Sequence, residues 1–96
     1  MRFTEAVQKA GVSYRQADHW AGQRWIDAPG GGSGTVREIG PREAMVLARM
    51  GTLVRVGVTP AAAAGIARAA VEQHTRAVDL PGGLRLVFDV PARAAS

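Results

Sequence analysis

Cysteine is absent from the chain, so no disulfide framework, thiolate metal site or redox centre can be built from it. Lysine occurs once, at Lys9, and aromatic residues make up only 5% of the sequence. No apolar run approaches the ~18 residues that a membrane span needs. The opening Met1-Arg2-Phe3-Thr4-Glu5 turns polar at once and has no apolar signal core, which predicts a cytoplasmic protein with no membrane partner. The two histidines, His19 and His74, stand far apart without cysteines or carboxylates at ligand spacing, so no metal site is expected. The glycine run at 30–34 lacks the Lys-Ser/Thr of a phosphate loop, and no nucleophile elbow or paired-carboxylate motif is present. These absences predict no catalytic residues, no cofactor and no enzymatic activity.

What remains is small and basic. The length of 96 residues fits one domain, near the size at which a single core is just sufficient. Twelve basic residues against eight acidic ones give a net charge of +4, and eleven of the twelve are arginine. Such a balance favours a polyanionic partner, most often nucleic acid, although high-GC coding enriches the same residue.

Periodicity along the chain predicts four helices, a glycine-tipped hairpin and a C-terminal β segment, a mostly α fold with a small β component. Thr4 reads as the N-cap of a first helix that runs to Ala10 and stops at Gly11. Ser13 caps a second helix whose Ala17, Trp20 and Ala21 form one apolar stripe, with Gly22 as its stop. Trp25 and Ile26 read as a short strand, 28–34 as a flexible tip and 35–39 as a returning strand. Pro41 starts a third helix with Val46, Leu47, Met50, Leu53 and Val54 in register, ending at Gly57. Thr59-Pro60 starts a fourth, reaching about His74, with Ala63, Ile66, Ala67, Ala70 and Val71 on its apolar face. Beyond it, 77–80 and 84–90 alternate as strands around Pro81-Gly82-Gly83. The divisions expected are 1–76 as the main domain, 77–90 as a hairpin or dimerisation strand, and 91–96 as a flexible tail.

Ala6, Ala10, Val12, Ala17 and Trp20 bracket Gly11 in the pattern of two steeply crossed helices with glycine in the turn. The segments GVSYRQADHW, GSGTVREI and REAMVLARMGTLVRVGVT extend that pattern. Together they resemble the DNA-binding domain of the MerR family, most closely its actinobacterial branch, over about residues 3–75. The resemblance implies a winged helix-turn-helix fold, with recognition helix 13–21 in the major groove and wing 27–37 on the flanking backbone. It also implies double-stranded DNA as partner and a homodimer; RNA polymerase is the expected protein partner of a regulator, and a recombinase that of the excisionase-like alternative. Only about 20 residues follow the fourth helix, so the long dimerisation helix and effector domain of the family's larger members have no counterpart in this sequence.

The DNA-contacting residues expected are Thr4, Ser13, Tyr14, Arg15, Gln16, His19, Arg24, Thr35 and Arg37. Arg15 suits a bidentate contact to guanine, Gln16 to adenine, and Tyr14 a phosphate or a thymine methyl. Arg24 and Arg37 suit backbone phosphate, the latter by likeness to a wing arginine of the family. Each has a plainer alternative as a solvated or packing side chain. Asp18 departs from the family pattern and would repel phosphate, so it either faces a cytosine amino group or orients a neighbouring arginine. Leu84, Leu86 and Phe88 are the expected dimer seam, with pairing back onto 77–80 as the alternative. The leading expectation is a sequence-specific transcriptional regulator, a repressor or activator. An excisionase-like factor that binds tandem sites and bends DNA, and a protein-interaction adaptor on the same fold, are its rivals.

Overall fold

The computed structural model describes residues 1–30, 36–80 and 82–88. Its elements are α1 (Phe3–Ala10), α2 (Tyr14–Gly22), α3 (Pro41–Arg55), α4 (Pro60–Glu72), β1 (Ala77–Leu80) and β2 (Leu84–Val87). The protein is thus mostly helical, with one two-stranded antiparallel sheet. Among the described residues, no helix is long and apolar enough to cross a membrane. Residues 31–34 of the expected tip at 28–34, Thr35, Pro81, Asp89 and Val90 of the expected strand at 84–90, and the tail at 91–96 lie outside the described residues.

The core forms where the helices' apolar stripes converge. Trp20, Phe3, Ile26, Leu47, Met50, Leu53 and Val46 are its largest fully buried side chains. α3 is the central element and packs on both α1 and α4. Four small side chains of α4, Ala63, Ala64, Ala67 and Ala70, are buried, which lets it approach α3 closely. α1 also approaches α3 closely. Gly51, in the middle of α3, faces the Ala10 carbonyl, and a Cβ at that position would stand 2.8 Å from that oxygen.

Three expected features take another form. Thr4 is not the cap of α1: the helix begins at Phe3 with Arg2 as its N-cap, and no side chain closes it. The reason lies in the preceding residues. Arg2 bridges antiparallel to Glu38, the Phe3 N–H donates to the Arg37 carbonyl (2.9 Å), and the Ile39 N–H donates to the Met1 carbonyl (2.9 Å). The extended 36–39 segment therefore pairs with the N-terminus and not with 25–26.

Trp25 and Ile26, for their part, do not form a strand. Arg24 turns the chain through a left-handed conformation (φ 62°), and side chains take the polar groups that a strand partner would have used. Arg68 donates to the Trp25 carbonyl (3.0 Å), and Glu43 accepts from the Asp27 N–H (2.8 Å). Ile26 goes into the core.

The third correction concerns Leu84, Leu86 and Phe88. β2 pairs with β1 of its own chain, with Val78 opposite Leu86 and Leu80 opposite Leu84. Gly82 (φ 86°) and Gly83 (φ 79°) supply the positive angles that the turn needs. Phe88 is 5% exposed and belongs to the core, under the Arg49 guanidinium 4.4 Å from its ring centre. Leu86 is half-buried against the same core, and only Leu84 stays largely exposed. β2 thus takes the alternative pairing onto 77–80, and within the chain Leu86 and Phe88 pack against the helical core while Leu84 stays outside it.

Candidate nucleic-acid interface

α2 is short, so its ends matter. Ser13 and Gln16 form a reciprocal capping box: the Ser13 Oγ accepts from the Gln16 N–H (3.0 Å) and the Gln16 Oε1 from the Ser13 N–H (3.1 Å). Their side-chain oxygens are therefore committed to starting the helix, which leaves the Gln16 amide nitrogen as its outward group. The turn before it is fixed from two sides. Gly11 adopts φ 70°, and its N–H returns to the Gln8 carbonyl. Arg55, from the end of α3, donates to the Ala10 carbonyl (2.9 Å) and the Gly11 carbonyl (3.3 Å).

With Ala17 and Trp20 buried, the helical repeat turns Arg15 and His19 outward, one turn apart. Arg15 makes no ion pair among the described residues. His19 packs edge-on to Trp25, with ring centres 6.3 Å apart. Arg24, just past the helix, borders an open cleft with Ala21, Ile26, Asp27, Ala28 and Pro29. Thr4 is exposed on α1. No family model, curated protein or solved structure matches the chain.

Among the described residues expected to contact DNA, Arg37 is the least exposed. Its side chain is only 10% exposed and engaged within the protein. Nε donates to the Ala28 carbonyl (3.0 Å), and Nη1 donates to Asp18 Oδ1 (2.7 Å) and to the Tyr14 hydroxyl (3.3 Å). The guanidinium carbon also lies 4.2 Å from the centre of the Phe3 ring, which Tyr14 meets edge-on. Burial opposes the charge, but the hydrogen bonds to Asp18 and Tyr14 and their charges outweigh it, so the Arg37 pKa is raised. In the protein alone, this arginine joins α1, α2 and the segment after α2. Asp18 takes the second of its two expected roles, orienting an arginine.

Sequence reasoning missed the network that sets where the chain goes after α2. Glu43 takes the Arg68 guanidinium through both oxygens (2.7 and 2.9 Å) while accepting from the Asp27 N–H. The hydrogen bond to Arg68 lowers the Glu43 pKa, with burial opposing and the Asp27 N–H assisting. Glu43 and Arg68 are 25 positions apart. No local spacing rule pairs them, and the one signal in the sequence is that Arg68 is the single charged residue in the run 60–71.

Proposed function

We propose that the protein binds double-stranded DNA sequence-specifically as a winged helix-turn-helix transcriptional regulator, with α2 entering the major groove. One observation carries this reading. A helix capped at its start and held by a pinned turn presents Arg15 and His19 on the face opposite its buried stripe. The excess of arginine and the likeness to MerR DNA-binding domains support it. Arg15 is the base-reading residue, able to donate two parallel hydrogen bonds to guanine O6 and N7. Arg24 and the Gln16 amide flank it. Thr4, Tyr14 and Thr35 are backbone-contacting residues in this reading, with Ser13 acting through the cap.

Selecting bound duplexes from a random pool tests the proposal directly. Enrichment of a defined motif supports it, and recovery of no duplex overturns it. On the selected motif, Arg15→Ala is expected to cost ~1–3 kcal/mol and to relax preference at one base position. Unchanged affinity and preference in a fluorescence-anisotropy titration would remove α2 from the groove.

The burial of Phe88 within one chain favours a second form of the same reading. With Leu86 and Phe88 used internally, loading head to tail along tandem sites becomes the natural arrangement, as in excisionase-like factors that act with a recombinase. Direct repeats among the selected duplexes would favour that form. Inverted repeats would favour a two-fold dimer at a promoter.

A further inference from the structure

The four contacts of the Arg37 guanidinium are unequal. The Ala28 carbonyl and the Phe3 ring belong to the packed body around it, while the Tyr14 hydroxyl reaches it from an exposed ring whose edge rests on Phe3. Asp18 and Tyr14 stand on the solvent side: the Asp18 side chain is 58% exposed and Tyr14 44%, against 10% for the Arg37 side chain. Removing the Asp18 carboxylate leaves three contacts that hold the cation in place. It also uncovers an Nη1 hydrogen aimed outward, beside a phenol hydroxyl whose own proton is free to donate.

To a guanidinium, a carboxylate and a phosphate present the same paired oxygens. Asp18 follows Arg15 by three positions, so the two are neighbours on the surface of α2. A nucleic-acid backbone lying along the Arg15 face would pass the Asp18–Arg37 pair at close range.

We propose that Arg37 and Tyr14 form a phosphate seat that the Asp18 carboxylate fills in the free protein. Asp18 thereby sets how tightly the α2 face holds a DNA backbone. It acts as an internal competitor, which a phosphate must displace to reach the seat. Indiscriminate backbone binding is weakened, and Arg15 decides more of the total affinity. This inference rests on the DNA-binding reading above.

Asp18→Asn tests it, since the amide keeps the side-chain shape and removes the charge. On a mixed-sequence duplex, the variant is expected to bind about tenfold more tightly than the parent at moderate salt, with a log–log salt slope steeper by about one contact. Adding Tyr14→Phe, which keeps the ring on Phe3 and deletes the hydroxyl, should remove much of that gain. Unchanged or weaker binding by Asp18→Asn overturns the seat. So does a gain with no change in salt slope, or one that Tyr14→Phe leaves intact. If neither parent nor variant binds any duplex, the DNA-binding reading is what fails. The seat is then judged by titrating Asp18→Asn with inorganic phosphate while following the Arg37 Nε–H resonance. A shift absent from the parent keeps the seat, and no shift overturns it.

Discussion

Glu43→Ala is expected to destabilise the fold by about 2–4 kcal/mol, read as a fall in the urea midpoint at unchanged slope. Glu43 is 15% exposed and Arg68 34%, so the pair is shielded enough for the loss of one member to be felt. The substitution strands the Arg68 guanidinium and removes the acceptor of the Asp27 N–H in one step. The part-exposed arginine recovers some hydration, which holds the effect below that of a fully buried pair. Glu43→Gln keeps an acceptor for Asp27 and should cost about 1–2 kcal/mol.

The same carboxylate predicts a pH dependence. Its pKa is lowered in the folded state, so its contribution is complete above the unfolded value of about 4.3. The contribution is then lost as pH falls through the lower folded value. The parent should therefore lose stability below about pH 4.5 more steeply than Glu43→Gln does. Parallel acid-unfolding curves for the two would show that Glu43 is not the group responsible.

Gly51→Val is expected to cost about 3 kcal/mol or more. A Cβ at position 51 meets the Ala10 carbonyl at 2.8 Å, the Val12 Cγ1 at 3.0 Å and the Arg55 Nη1 at 3.4 Å. The closest of these is backbone, so relief requires α1 and its turn to move away from α3. That movement also breaks the hydrogen bonds that Arg55 makes to the turn. Gly51→Ala sets the gain of about 1 kcal/mol in helix propensity against the same collision, and a net loss is still expected. Since α2 is carried by that turn, both variants should weaken binding to the selected duplex without touching a base-reading residue. Thermal melting and anisotropy on the same samples check both effects. A Gly51→Ala protein more stable than the parent would refute the close approach.

Much of the helical part was legible because each helix has strong local signals. Ser13 before a polar turn, Gly11 and Gly57 after apolar stripes, and Pro41 and Pro60 at first positions all act within a few residues of themselves. The Thr4 cap was misread because the competing interaction, pairing of Met1–Phe3 with 37–39, joins segments distant in sequence. The 25–26 strand was misread for a related reason. Trp25 and Ile26 are β-type residues, but arginine and glutamate side chains from α4 and α3 satisfy the backbone there. The C-terminal strands were legible as strands. Their partner was decided by two consecutive glycines at positive φ and by room for Phe88 beneath Arg49, and that room exists only once α3 is in place. Arg37 shows where the legibility of the site ends. The sequence gives an arginine near a wing, and only packing reveals that Asp18, Tyr14 and Phe3 already occupy it.

The irregular stretches share one mode of attachment. Arg55 holds the Ala10 and Gly11 carbonyls, Arg68 the Trp25 carbonyl and Arg37 the Ala28 carbonyl. Arg55 and Arg68 reach their stretches across 45 and 43 positions and Arg37 across nine, so opening either stretch breaks a side-chain bond to another part of the fold. Opening such a stretch costs about 1 kcal/mol more for each of these bonds that must break. The turn before α2 and the stretch at 25–28 are thus both tethered, and the helix between them is anchored at its two ends.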